Sequence, residues 1–188
     1  TFRVFPGEFV PGIKMKQKYN SFKNKFQFEL IGVNKEGKLI SGQSVSIRIL
    51  KRNWQSIKTK APNGSVQTKN TLVNELVDHS DLALSSEPVS YSFQPSSAGS
   101  YSITVQDKNG MSFAKTIFYA YGGCYVSWDS RDVSTVGLIP DKNIYKPGDI
   151  AKILVKSNYS KAKAIITLER EKVIWQKSTP KYGIIAFE

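Results

Sequence analysis

A handful of places in the sequence gather residue types with chemical potential. Gly32-Val-Asn-Lys-Glu-Gly37-Lys38-Leu39 comes within one residue of the phosphate-binding loop G-x-x-x-x-G-K-[ST]. That loop needs a hydroxyl at its last position to hold Mg²⁺ and a helix behind it to aim N–H groups at phosphate. Leu39 supplies no hydroxyl and strand patterns lie on both sides, so nucleotide binding is excluded here. Asp78, His79 and Asp81 bring a histidine beside two carboxylates, the raw material of a metal or acid–base cluster. A metal site needs three or four convergent ligands, and this trio reads as a solvated polar turn. Glu169 and Glu171 lie one strand period apart and share a face, with Arg170 on the other. Nothing near them would raise a carboxyl pKa. Cys124 has Tyr121, Gly123 and Tyr125 as neighbours, none of them cationic, so it reads as a small buried hydrophobe rather than a reactive thiol. Trp54, Trp128 and Trp175 are the material of a sugar-stacking platform, but they are far apart in sequence and fit core or interface positions better. Asn63-Gly-Ser65 and Asn158-Tyr-Ser160 match glycosylation acceptors, relevant only in a host that glycosylates. No G-x-S-x-G nucleophile motif occurs. The expectation is a protein that is not an enzyme, with no catalytic residue, no metal ligand and no cofactor.

The bulk composition narrows the class further. The chain has 188 residues, enough for one large or two small domains. It is 40% hydrophobic and 12% aromatic, which argues for a folded core and against disorder. A single cysteine rules out an internal disulfide. No apolar run approaches the roughly 18 residues that span a bilayer. The start, Thr1-Phe-Arg-Val-Phe-Pro-Gly-Glu8, is neither a signal peptide nor an initiating Met, and reads as a mature fragment whose targeting segment lies elsewhere. The net charge is +12, and its placement is uneven: residues 1–70 carry 14 Lys and Arg against three Glu. One reading is a polyanion-binding face. The preferred reading is solvated strand faces, because Lys14, Lys16 and Lys18 alternate with Ile13, Met15 and Gln17 and no aromatic platform accompanies them.

The elements that position these residues have a period of two. Phe26, Phe28 and Leu30 alternate with Gln27 and Glu29; Val45, Ile47 and Ile49 alternate with Ser44, Ser46 and Arg48; Tyr101, Ile103 and Val105 flank Ser102 and Thr104. Each apolar set belongs on the buried face of a sheet whose other face is wet. Turn signals divide the runs at Asn34–Gly37, Pro62–Gly64, Pro95–Gly99 and Asp107–Gly110. In the last, Asn109-Gly110 predicts a tight hairpin with positive φ angles. Leu72, Val73, Leu76 and Val77 stand at helical spacing, which fits a short helix or an irregular strand or loop. Short strands at this spacing predict an antiparallel sandwich of immunoglobulin or fibronectin-III style. A boundary falls near 122–136, giving one domain over 1–122 and a second β unit over 123–188. Four or five strands are too few for a second sandwich, so the second unit reads as incomplete.

The stretch Leu138-Ile-Pro-Asp141-Lys142-Asn-Ile-Tyr145-Lys146-Pro147-Gly148-Asp149-Ile-Ala-Lys-Ile-Leu-Val155 has its own local logic. Pro147-Gly148 fits the centre of a type II turn, with Pro fixing φ and Gly supplying a positive one. This stretch resembles the opening of a macroglobulin-like domain, where Asp-Lys-x-x-Tyr-Lys-Pro-Gly-Asp precedes a strand. Ala164–Glu171 is similar to the downstream strands of bacterial alpha-2-macroglobulins. Glu36–Gln43 with Val45–Trp54, and Pro95 through Tyr101, resemble the hairpin and late strand of such a domain. The resemblance covers most of the chain and is sharpest over about 30 residues. It implies a non-catalytic scaffold fragment of a bacterial endopeptidase inhibitor, periplasmic or at the cell surface, with any lipid anchor supplied by the parent chain. In that family a protease cuts a bait segment and a rearrangement then encloses it. The implied partners are target proteases and neighbouring macroglobulin-like domains, with no nucleic acid. Asp141, Lys142, Tyr145, Lys146, Pro147, Gly148 and Asp149 carry the family motif, in a structural role. Many members also carry a Cys-x-Glu-Gln thioester, but Cys124 is followed by Tyr125, Val126 and Ser127, so that motif is not in this sequence. The alternative is a surface adhesion or polysaccharide-binding module that uses the basic first third.

Overall fold

The computed structural model describes residues 7–122, Val126, Trp128, 136–157, 163–179 and 183–187. Every regular element among them is a strand. The chain divides into two compact units, Thr1–Gly123 and Cys124–Glu188.

Unit 1 contains β1 (Val10–Met15), β2 (Tyr19–Ser21), β3 (Phe26–Val33), β4 (Ser44–Lys60), β5 (Val66–Ala83), β6 (Val89–Phe93), β7 (Gly99–Asp107) and β8 (Phe113–Tyr121). They form a three-stranded sheet, β1-β3-β6, and a five-stranded sheet, β2-β8-β7-β4-β5. The period-two patterns turn their apolar sets towards each other. Phe26, Phe28 and Leu30 of β3 share one buried cluster with Val45, Ile47 and Ile49 of β4, Tyr101, Ile103 and Val105 of β7, and Phe118 and Ala120 of β8. This is a β-sandwich with its core between the sheets. Phe118 is its aromatic hub. Its ring centre lies 4.6 Å from Phe26, 5.3 Å from Phe28, 5.5 Å from Tyr101 and 6.2 Å from Phe93. Pro11 sits in β1, which is an edge strand, where a missing N–H costs no ladder bond.

The structure departs from two expectations and decides between the alternatives of a third. First, not every pair is antiparallel: the three-residue β2 pairs β8 in parallel. The two strands lie far apart in the chain, as a parallel pair requires. Second, Asp107–Gly110 turns without positive φ at Asn109. Glu171 has the only positive φ outside glycine among the described residues. Gly110 alone takes the left-handed conformation, at φ 68°, and its N–H donates to the Asp107 carbonyl at 3.0 Å. A type I turn closed by a left-handed glycine therefore replaces the primed turn. Third, of the alternatives open for Leu72, Val73, Leu76 and Val77, the irregular strand is the one present: all four lie in β5. The pairing of β4 with β5 slips by one residue between Ile49 and Leu50, which face Asp78 and Leu76. Val77 is the extra residue of a β-bulge. One bulge inside a strand produces adjacent apolar pairs that mimic a helical spacing.

The β4–β5 hairpin outruns its sheet. Strand β7 accompanies β4 only from Val45 to Arg52. Beyond that point Asn53–Lys60 pairs with Val66–Val73 alone, as a two-stranded arm. At strand rise the arm is about 25 Å long.

Unit 2 contains β9 (Gly137–Pro140), β10 (Ala151–Lys156), β11 (Ala164–Arg170), β12 (Lys172–Thr179) and β13 (Gly183–Phe187). They form one sheet ordered β13-β10-β9 and a separate antiparallel pair, β11-β12. Leu154 and Val155 of β10 are buried, while Ile144 and Ile165 are largely exposed.

Candidate functional site

The motif residues 141–149 build a loop that is bonded to itself. The Asp141 carboxylate accepts the Tyr145 hydroxyl at 2.5 Å and the backbone N–H of Lys152 at 3.0 Å. The Tyr145 oxygen in turn accepts the backbone N–H of Lys142 at 3.2 Å. The Asp149 carboxylate accepts the Lys146 N–H at 3.1 Å and pairs with the Lys142 ammonium at 3.2 Å. Gly148 stands at φ 88°, the value a type II turn demands of its third residue. The Asp149 N–H donates to the Lys146 carbonyl at 3.0 Å and closes that turn. Partial burial pushes the Asp141 carboxyl up, but the Tyr145 hydroxyl and the Lys152 amide outweigh it and hold it below the usual carboxylate range. The Lys146 amide and then Lys142 hold Asp149 down as well. Burial, reinforced by the bond to Asp141, pushes the Tyr145 hydroxyl up. No proton in this loop is poised for transfer, because every acid is locked as an acceptor. The loop aims β10 back along β9, with the Asp141 N–H donating to the Lys152 carbonyl at 3.0 Å.

The other sequence candidates are taken apart by strand geometry. Asp78, His79 and Asp81 do not lie in a turn; they sit along β5. Alternation puts His79 and Asp81 on the outer face and Asp78 on the inner one, opposite Ile49. There Asp78 accepts the hydroxyl of Tyr91 from β6, an inter-sheet bond that the sequence did not suggest. Burial and this bond raise the Tyr91 pKa well above its ordinary value. His79 Nε2 lies 3.0 Å from Ser46 Oγ and 3.9 Å from Asp81 Oδ1. Serine and aspartate thus address the same ring nitrogen, whereas a triad needs them on opposite ones. Glu171 is not on a strand face with Glu169. It forms the apex of the β11–β12 turn at φ 61°, so the two carboxylates do not share a face. Gly32 to Leu39 runs from β3 into a hairpin turn, with Gly37 N–H donating to the Asn34 carbonyl at 3.0 Å and no helix behind it. Among the described residues no three His, Cys, Asp or Glu side chains converge as for a metal ion. Cys124 and Asn158 lie outside the described residues. Asn63 stands at the tip of the arm, where its side-chain oxygen accepts the Ser65 N–H at 3.1 Å. Trp54 belongs to unit 1, whereas Trp128 and Trp175 belong to unit 2. The basic first third is in part neutralised: Lys14 on β1 pairs with Glu29 on β3 at 2.9 Å and lowers its pKa. A groove of about 360 Å³ beside the β7–β8 turn is lined by Glu8, Gln43, Asp107, Lys108, Asn109 and Met111, with Gly7 at its edge. Asp107 there is spent on the Ser112 N–H, at 3.2 Å.

Comparison with known proteins places this architecture. Residues 12–122 match the family model for bacterial macroglobulin domain 6. A curated relative, the "Alpha-2-macroglobulin homolog" of Nostoc, is 28% identical over 186 residues, which is 97% of this chain and 10% of the relative. The native form of E. coli alpha-2-macroglobulin superposes with a TM-score of 0.58 at 16% identity, over 98% of this chain and 13% of that one. Salmonella alpha-2-macroglobulin reacted with methylamine gives 0.55 at 17% identity, over 98% and 12%. The chain therefore spans about a tenth of the length of these proteins. The self-bonded loop, the two β units and the sandwich of unit 1 converge with these matches on one assignment: the chain belongs to the bacterial alpha-2-macroglobulin family, and residues 12–122 are one of its macroglobulin domains.

Proposed function

We propose that this chain is a non-catalytic scaffold segment of a longer endopeptidase inhibitor that encloses proteases after they cut a bait segment. The observation that carries the reading is the end-to-end match: 97% of the chain aligns with an alpha-2-macroglobulin homolog, across both β units. The E. coli relative has been captured in a form activated by porcine elastase, which links that protein to a protease. The side chains support a mechanical role. The motif loop consumes its own polar groups, and the sandwich core is interlocked around Phe118. Stiff sandwiches of this kind hold a cleavable segment in place and pass on its cleavage as a rigid-body movement. Target proteases and neighbouring macroglobulin-like domains are the partners on this reading, and the periplasm or cell surface is the location. The test uses the longer parent protein, mixed with elastase or trypsin. Residual activity is compared on a large protein substrate and on a small peptide. Loss on the large substrate with retention on the small one is the expected result. Equal activity on both overturns the reading and turns attention to the basic first third as a binding surface.

A further inference from the structure

Strand β5 forms one edge of the five-stranded sheet, and along the arm it pairs with β4 alone. An edge strand offers its outward backbone groups to an incoming strand. At the tip of the arm the Ala61 N–H donates to the Ser65 carbonyl at 2.8 Å. Bonded pairs recur at every second position of an antiparallel hairpin. Gln67, Lys69, Thr71, Val73 and Glu75 therefore spend their backbone groups on β4, while Thr68, Leu72, Asn74 and Leu76 turn theirs outward. This run contains no proline and ends at the bulge at Val77. Val73 is 40% exposed and Leu76 is 51% exposed.

Charge along the strand selects what fits. Strand β5 is basic towards the tip, at Lys69, and acidic towards the sheet, at Glu75, Asp78 and Asp81. Glu75 is exposed, and its carboxylate accepts Asn53 Nδ2 at 3.2 Å. Lys51, opposite Glu75 on β4, donates to Ser97 Oγ at 2.8 Å. A partner strand of one sign meets repulsion at one end of this edge. A second copy running antiparallel does not, because its acidic end lies against the basic end of the first. Within Val66–Leu76 the only charged residues are Lys69 and Glu75. Setting Lys69 of each copy opposite Glu75 of the other fixes one register, with Leu72 opposite Leu72 on a two-fold axis. That register brings outward backbone groups face to face, since Leu76 meets Thr68 and Leu72 meets its own copy. Lys69 and Glu75 fall at the non-hydrogen-bonded positions, where opposed side chains approach most closely. Val73 and Leu76 gain cross-strand neighbours in Thr71 and Thr68. We propose that two copies of this chain pair through their β5 edges, antiparallel about Leu72, over Thr68–Leu76.

The test follows the full chain by sedimentation over a range of concentrations, with hydrogen exchange read residue by residue. A monomer–dimer equilibrium is expected, with the Leu72, Asn74 and Leu76 amides gaining protection as dimer forms. Lys69→Glu sets glutamates opposite each other and Glu75→Lys sets lysines opposite each other. The two-fold axis doubles each repulsion, so either variant should weaken the dimer at least about tenfold. The swap K69E/E75K should restore it, and mixing the two single variants should give a heterodimer although neither pairs with itself. Leu72→Pro removes an N–H that points away from β4, so the hairpin keeps its own ladder while the dimer is lost. A chain that stays monomeric at every concentration would overturn the proposal and leave the edge to a different partner. So would a dimer indifferent to Lys69→Glu, a swap that fails to restore pairing, or protection confined to other strands.

Discussion

Tyr145 and Asp141 show how much a structural motif asks of single residues. One hydroxyl donates to a carboxylate while accepting a backbone N–H, so Tyr145→Phe removes two bonds at once. A loss of roughly 1 kcal/mol is expected, visible as a lower thermal midpoint of the chain. Both Asp141 and Asp149 are held below 3.8, their ordinary value. The loop is therefore fully supported above that value and loses support as pH falls through their lowered folded values. Acid titration followed by NMR should show the Lys146 and Lys152 amide signals shifting together below pH 4, and a midpoint above 5 for either carboxyl would contradict the geometry. Glu171 tests the opposite case. It holds a left-handed conformation that disfavours any side chain, so Glu171→Gly should stabilise the β11–β12 turn by about 1 kcal/mol, measured by chemical denaturation.

At the scale of elements, the bond from Tyr91 on β6 to Asp78 on β5 ties together edge strands of the two sheets. Tyr91→Phe leaves the Asp78 carboxylate half-buried without that donor, and a destabilisation of about 1–2 kcal/mol is expected in urea. Gly32 on β3 is a close approach of another sort. A Cβ there would stand 2.7 Å from Leu84 Cδ1 and 2.9 Å from Ile40 Cγ1. Gly32→Ala should cost roughly 1–3 kcal/mol through overpacking. Period-two patterns made β3, β4 and β7 legible in the sequence, because the runs Phe26–Leu30, Val45–Ile49 and Tyr101–Val105 turn only apolar side chains inward. Strand β5 was legible only as one of the alternatives for Leu72–Val77. Its inner face carries Ser80 and Asp78, and one bulge shifts its phase, so its apolar residues fall into pairs. The motif loop was readable because Pro147-Gly148 allows few conformations. The bonding of Asp141 to Tyr145 and Lys152 was not readable, since it joins positions up to 11 apart that only the folded loop brings together.

For the whole molecule, the large buried cluster belongs to unit 1 alone. Phe118→Ala removes the ring shared by four aromatic neighbours and should cost about 3–5 kcal/mol. The natural probes separate the units: Trp54 reports unit 1, and Trp128 and Trp175 report unit 2. Single-tryptophan variants should show the transition at Trp54 moving to lower denaturant. Strand alternation also parts one pair that stands together in the sequence, sending Asp78 to one face and His79 to the other.

The bulge at Val77 has one more consequence. Ile49 faces Asp78 and Leu50 faces Leu76, so Val77 has no opposite number of its own. Its side chain packs partly on the core. Deleting it would cost that packing yet leave every cross-strand neighbour of the hairpin unchanged. The extra twist and bend that a bulge imposes would vanish. Val77 therefore behaves as a hinge pin written into chain length: one residue more or fewer resets where the arm points without altering what it is made of.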